Sequence, residues 1–300
     1  MNAAQGAAKR RRTIGGTVFE WFMLLAAVVL FVFPFVNLTA VSFSSPRAIL
    51  SGEVFLWPVE FNTDAWYLVF RNRELISSFS FTVLLTLGYT ALALLLVMFA
   101  AYPLSKRDLK GRVPMLGFLM FTMYFSGGII PSYLLYQSLH LLDTFWVLVL
   151  PGAFSVYNFL ILKSFFQGIP PSLEESARID GANEWQILFR IYIPMSLPIL
   201  ATLALFFAVG RWNGFSDALY FIPTHKEYDP LQLILQRVLQ RASDRQQELI
   251  RMNGLKATVH IVKESQRAAI ILFTVIPIIL VYPWLQRFFV KGVMIGSVKG

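Results

Sequence analysis

Cysteine is absent from the 300 residues. That excludes disulfides, thiolate zinc sites, iron–sulfur clusters and a cysteine nucleophile. The three histidines, His140, His225 and His260, lie too far apart in sequence to make a ligand spacing, so no metal site is expected. Charge is scarce: 14% of residues are charged, against about 25% in soluble domains. No Gly-Lys pair occurs, so the phosphate loop G-x-x-x-x-G-K-[ST] is missing. H-E-x-x-H and G-x-S-x-G are missing as well. The long apolar runs carry no paired carboxylates; Arg211 and Asp217 flank the end of one. Ion-coupled carriers usually hold ionisable groups at membrane depth. Together these absences argue against a self-energised carrier, an intramembrane protease and a metal-dependent transferase. No catalytic residue and no bound cofactor are expected.

What is present is apolar. Hydrophobic residues make up 56%, aromatics 15%, and the mean hydropathy is +0.61. A bilayer is the natural solvent for such a chain. The net charge of +9 would suggest nucleic acid in a soluble protein; here the basic residues border apolar runs, which fits the positive-inside rule instead. Spanning the hydrocarbon takes about 20 apolar residues as a helix, and six segments qualify: 17–43, 75–102, 114–138, 144–166, 195–215 and 268–289. The expected fold is an all-α integral membrane protein of six transmembrane helices. The basic run at 9–12 and the long apolar segment after it read as an uncleaved first helix, with no A-x-A-like site.

Six spans put both termini on one side, expected to be the cytoplasm. Lys106, Arg107, Lys110 and Arg112 follow the second span; Lys163, Arg178 and Arg190 surround the loop after the fourth; Arg287, Lys291 and Lys299 follow the sixth. The basic stretch 218–267 disagrees, but long loops translocate largely regardless of charge. The outer loops are then 44–73, whose aromatics and acids allow a helix on the surface, and 218–267, amphipathic in "LQLILQRVLQRASDRQQELI" with a loop tip at Met252–Gly254. Gly127, Gly128 and Pro131 interrupt the third span, Pro151 and Gly152 the fourth, Pro277 and Pro283 the sixth. Such residues mark either ordinary kinks or backbone that lines a cavity.

One polar insert stands out, "PPSLEESARIDGANEWQILFRIYIPMSLP" from Pro170 to Pro198. Ser172 and Glu175 have capping-box spacing, predicting a helix from about 173 to 180 that exits at Asp180-Gly181. Gly181 would take the left-handed position that helix ends favour. Asn183 and Gln186 offer a second, weaker capping pair. Leu173, Ala177 and Trp185 make an apolar stripe, with Glu174, Glu175 and Arg178 expected to face elsewhere. A helix this short is marginal in water. It is either a solvated interfacial helix or a docking element for a separate subunit.

Glu175-Ser176-Ala177, Gly181 and Ile191-x-Ile193-Pro194 resemble the EAA loop of ABC importer permeases, whose pattern is E-A-A-x3-G-x9-I-x-L-P. The departures are Ser176 for alanine and Ile193 for leucine. With "FSGGIIPSYLL" and "YPWLQRFFVKGVMIGSVKG", essentially the whole chain resembles the carbohydrate-uptake (MalG/LplC-like) family. The resemblance implies the type I importer permease fold and a loop, 170–194, that docks on a cytoplasmic ATPase through Glu174, Glu175, Ser176, Ala177, Asp180, Gly181 and Ala182. It implies as partners a second, homologous permease, two ATPase subunits that hold the ATP and magnesium, an extracytoplasmic solute-binding protein and an oligosaccharide, in the inner membrane of a bacterium. It also implies that the tail Val290–Gly300 reaches toward the ATPases and that the loop 218–267 meets the binding protein, with Arg245, Arg251, Asn253 and Gly254 as contact candidates. Sugar sites join aromatics to amides, so Tyr124, Tyr133, Tyr157, Asn158, Trp212 and Asn213 are the candidates for a substrate path; ordinary membrane-helix packing is the competing reading for each. An importer of another solute, or a self-standing channel or scaffold, remains the alternative.

Overall fold

The structure is a computed structural model and describes residues 14–240 and 261–296. Among them every regular element is helical. They divide into two compact units, residues 14–71 with 261–272 and residues 72–240 with 273–296.

In the first unit, α1 (Ile14–Ser42) is apolar on all sides, and Trp21, Phe22, Leu25, Leu30 and Phe31 lie exposed along it. A helix hydrophobic all round is buried in protein or lipid. The segment after it holds α2 (Pro46–Leu50), whose first turn is capped by Ser45 Oγ accepting from Ala48 N–H at 3.2 Å, and α3 (Asp64–Arg71). Phe43 stacks on Phe61 and on Trp66, with centroids 5.6 Å apart in each pair, and Trp66 Nε1 donates to Ser42 Oγ at 3.2 Å. Aromatics thus pin the segment 44–71 to the end of α1.

In the second unit, α4 (Arg73–Ser105) is the central helix. Asn72 caps it, its side chain accepting from Glu74 N–H at 2.9 Å and Leu75 N–H at 3.3 Å. The apolar third span is not one helix: α5 (Arg112–Tyr124) and α6 (Ile129–Ser138) meet at 118°. Gly128, at φ +85° and ψ −179°, makes the corner, a backbone state that essentially only glycine adopts. Neither helix buries a side chain in the described residues. The fourth span is also interrupted. A 3₁₀ turn at Phe145–Leu148 precedes a break at Pro151-Gly152, and α7 (Val156–Gln167) starts only at its cap, Ser155. Twelve residues rise about 18 Å, short of the roughly 30 Å hydrocarbon core. Among the described residues, three helices are long and apolar enough to cross a membrane, or five if each bent pair counts as one; the expected 144–166 is not among them. After the polar insert come α11 (Leu197–Asn213), α12 (Ser216–Phe221) and a helix at 231–240, α13; α14 (Ile261–Gly296) runs unbroken through Pro277 and Pro283.

The main core joins α4, α7 and α11: Val97, Ala101 and Tyr102 meet Phe159, Leu162 and Phe166, with Leu203 and Phe207 opposite. A second cluster sets Leu85 of α4 against Val147 and Leu148 of the 3₁₀ turn, Phe221 of α12 and Leu233 of α13. Thr82 ties α4 to the start of α13 here, its Oγ1 accepting from Leu231 N–H at 2.8 Å.

Candidate functional site

The polar insert folds as two helical pieces around a glycine corner. The first, α8 (Pro171–Ile179), is not opened by the expected Ser172 cap. Its N-cap is Pro170, and no side chain bonds the free N–H groups there. The reason is positional: Pro171 supplies a preset φ at the first helical position, which moves Ser172 inside the helix. The other end is a Schellman closure. Ala182 N–H bonds Ala177 O at 2.9 Å, Gly181 N–H bonds Arg178 O at 3.0 Å, and Gly181 has φ +81°. A Cβ on Gly181 would meet nothing within 4 Å. Backbone conformation, not space, is what calls for glycine here.

The second piece begins with α9 (Glu184–Ile187), which has a complete capping box: Asn183 Oδ1 accepts from Gln186 N–H at 2.9 Å, and Gln186 Oε1 accepts from Asn183 N–H at 2.9 Å. It then widens into a π-helix over Leu188–Tyr192, in which Ile193 N–H reaches Leu188 O, and a last turn, α10 (Ile193–Met195), ends at Ser196. Pro194 and Pro198 lack the N–H that a regular α ladder needs, and the axis turns by 82° into α11. Ile187, Leu188 and Tyr192 are buried in the main core.

An ionic network fastens α8 to this base, and it corrects one expectation. Glu174 does not face away from the protein. Its carboxylate accepts from Lys106 Nζ at the end of α4 and from Tyr192 Oη at 2.7 Å, while Arg178 donates to its other oxygen at 2.9 Å. Arg178 also pairs with Glu184 at 2.6 Å, and Tyr102 Oη donates to Glu184 at 2.6 Å. The Lys106 ammonium lies 4.5 Å from the Tyr102 ring centroid and 4.4 Å from that of Tyr192, and donates to Tyr192 Oη at 2.9 Å. Burial works to raise the Glu174 pKa, but the bonds from Lys106 and Tyr192 outweigh it and hold the carboxyl below its ordinary range. Ion pairs of half-exposed Arg178 contribute about 0–1 kcal/mol. The Lys106–Glu174 pair is stronger ground: the two side chains are 18% and 14% exposed, and each cation–π contact adds about 0.5–2 kcal/mol.

The network leaves the opposite face of α8 bare. Glu175, Ser176 and Asp180 are exposed, and Ile179 is 86% exposed. Ala177 and Ala182 turn inward and pack on the core. Of the seven predicted coupling residues, Glu174, Ala177 and Ala182 therefore face the protein, and Glu175, Ser176, Asp180 and Gly181 face out. Trp185 stays mostly exposed, stacked on Phe189 and set edge-on to Phe99 of α4.

The predicted substrate-path residues are scattered. Tyr124 is exposed at the end of α5, and Tyr157 is exposed on α7 beside buried Asn158. Tyr133 tilts toward Phe221 at 6.3 Å. Trp212 is buried, edge-on to Phe79 at 6.1 Å, with Nε1 donating to Thr274 O at 3.3 Å. Asn213 donates to Val209 O at 2.9 Å and accepts from Gln232 at 3.2 Å. Among the described residues, no hydrogen bond or ring contact links one of the six to another. Arg245, Arg251, Asn253 and Gly254 lie outside the described residues, as does the end of the tail Val290–Gly300 beyond residue 296.

Two features escaped the sequence reading. Lys106 looked like one of four loop charges; only its aromatic neighbours distinguish it. Arg211 is the other. Its guanidinium is buried at the end of α11, paired with Asp217, bonded to Leu148 O at 2.9 Å and Gly214 O at 3.3 Å, and placed 5.8 Å from the Tyr89 ring. The signal was Arg211 and Asp217 six residues apart across a glycine.

Among the described residues, apolar helices of membrane-spanning length surround one bent polar loop, which is the make-up of an integral membrane protein. The family of binding-protein-dependent transport system inner membrane components matches residues 8–295, and the chain belongs to this family of importer permeases. It is 39% identical over 279 residues, 93% of this chain and 96% of the relative, to the polygalacturonan/rhamnogalacturonan transport system permease protein YtcP of Bacillus subtilis (strain 168). It is 41% identical over 270 residues, 90% of each chain, to the protein LplC of the same organism. In structure it matches a chain of a bacterial ABC transporter involved in the import of the acidic polysaccharide alginate, with a TM-score of 0.83, 31% identity, and coverage of 93% of this chain and 98% of the other.

Proposed function

We propose that this chain is one of two permease subunits of an importer that carries an acidic, uronate-bearing oligosaccharide across the inner membrane. Its energy comes from ATP hydrolysis on two separate subunits, which hold the nucleotide and magnesium; this chain binds neither and catalyses nothing. The observation that carries the reading is the form of the insert. A glycine-closed helix, pinned by Glu174 and bare along Glu175, Ser176, Ile179 and Asp180, is built to be held on one side and gripped on the other. The acidic-polysaccharide systems among its relatives support the substrate class.

In this reading the six spans bring both termini to the cytoplasm, and the broken third and fourth segments line the passage. Closure of the ATPases pushes α8, and the helices rock between inward and outward openings. The unburied faces of α5 and α6 suit the second permease, and the loop 218–267, with Arg245, Arg251, Asn253 and Gly254, suits a solute-binding protein outside. Tyr124, Tyr133, Tyr157, Asn158, Trp212 and Asn213 remain the substrate-path residues to test. The experiment is reconstitution of the full complex in proteoliposomes with oligogalacturonides, alginate oligosaccharides and neutral maltodextrins. ATP hydrolysis stimulated by an acidic oligosaccharide and its binding protein is the expected result. Passage without ATP, or stimulation by the neutral sugar alone, overturns the proposal.

A further inference from the structure

The load path through α8 is narrow. The helix has nine residues and buries none of its own side chains fully, so a partner pushing on its bare face would first bend it against its two short connections. One of these is the turn Gly168–Pro170, and the other is the glycine corner at Gly181. Neither connection leads to α4, the long central helix. Glu174 makes that link across 68 residues of sequence, through Lys106. The lysine has little freedom to leave. It is the C-cap of α4, its ammonium stands over two tyrosine rings set edge to face at 5.0 Å, and it donates to one of their hydroxyls. Tyr192, the second ring, belongs to the π-helix that leads into α11, so the same cation also touches the segment that joins the insert to α11.

We propose that Lys106 is a positioning residue for energy coupling: by tying Glu174 to the end of α4, with Tyr192 completing the joint, it makes α8 and α4 move as one body. This rests on the reading of α8 as the surface an ATPase grips. It assigns the work of transmission to a residue outside the loop, whereas the bare face only receives the push. Exposed Arg178 bridges Glu174 and Glu184 within the insert and reaches α4 only indirectly, through the bond of Tyr102 to Glu184, which belongs to α9 and not to α8.

The absence of cysteine makes the test direct. Spin labels at the exposed positions Ser172→Cys of α8 and Leu84→Cys of α4 report the α8–α4 separation in the whole complex, without nucleotide and trapped with ADP and vanadate. The parent is expected to keep one narrow separation in both states. Lys106→Gln is expected to broaden it and make it state-dependent, with ATP hydrolysis continuing. Glu174→Gln should do the same, and the double variant should be no worse than either single one, the mark of a single interaction. A parent separation that changes between states overturns the proposal, as does a Lys106→Gln complex that keeps the parent distribution. Docking itself is read separately, by co-purification of the ATPase. Retention of the ATPase by Lys106→Gln and its loss from Gly181→Val keeps the failure of docking distinct from the failure of the tie. If Lys106→Gln does not fold, Glu174→Gln carries the same comparison.

Discussion

Asn183 and Gln186 cap one another, each side chain accepting from the other's backbone N–H at 2.9 Å. Ser172 and Glu175, which have the same spacing in sequence, do not, because α8 already begins at Pro171 with Pro170 as its N-cap. Losing an N-cap of this kind costs about 1 kcal/mol. Asn183→Ala is therefore expected to lower the stability of the insert by about that amount, seen as faster proteolysis between residues 170 and 194 in detergent. Ser172→Ala should match the parent. Equal losses from both would show that the cap was misplaced.

Gly181 is required by its φ of +81° alone, since the space around it is open. An L-residue held in that conformation costs roughly 1–2 kcal/mol. Gly181→Ala is expected to loosen the α8 corner by about that much, and Gly181→Val, β-branched, by more. Asparagine, which tolerates the left-handed region, should recover part of the loss. Hydrogen–deuterium exchange of the Ala182 amide, which closes the Schellman bond, measures the order of these variants.

In the Arg211–Asp217 pair the guanidinium is buried and the Asp217 carboxylate about a quarter exposed (26%), so removing Asp217 strands a buried charge. Breaking a fully buried pair by removing one member costs about 3–5 kcal/mol, and partial exposure of Asp217 sets the cost here below that. Asp217→Asn and Arg211→Met are each expected to lower the unfolding temperature in detergent substantially. Gly214→Ala should fall between them and the parent, because its Cβ would lie 3.1 Å from Arg211 Nη2. Parent-like stability of Asp217→Asn would argue that Arg211 is satisfied by the carbonyls of Leu148 and Gly214 alone.

Asp143, Thr224, His225 and Glu227 form an exposed cluster. Its His225 pKa is raised, first by the hydrogen bond to Glu227 and further by the nearby Asp143 charge. A raised histidine favours the fold while protonated; its contribution is fully present below the ordinary value of about 6.5 and is lost as pH climbs through the folded value. Asp143, held low mainly by its bond from Thr224, behaves oppositely and fails only toward acid. An NMR titration of His225 is expected to show a midpoint above 6.5, moving down in Glu227→Gln. An unchanged midpoint would remove Glu227 as the cause.

Much of this was legible in sequence because it depends on local chemistry. Apolar run lengths marked α1, α4, α11 and α14, and the spacing from Glu175 through Gly181 to Pro194 marked the loop. Gly181 was readable because a single backbone angle decides it. The third and fourth spans were legible only in part: Gly128 and Pro151-Gly152 stood out as interruptions, but hydropathy counts apolar residues and gives neither the 118° turn at Gly128 nor the shortness of α7 after the break. The orientation of Glu174 was missed for a related reason. Helical spacing tells which residues share a face, but not which face the rest of the protein claims.

By itself, then, the sequence determined the solvent, the helical class and the position of the polar insert, because burial in lipid and helix closure follow from residue type and neighbours. Only the tertiary structure decided that Lys106 meets Glu174 across 68 residues and that the buried Arg211 guanidinium meets Leu148 O across 63. Both pairings depend on where α4, α11 and the 3₁₀ turn come to rest, and that is settled by core packing among residues far apart in the chain.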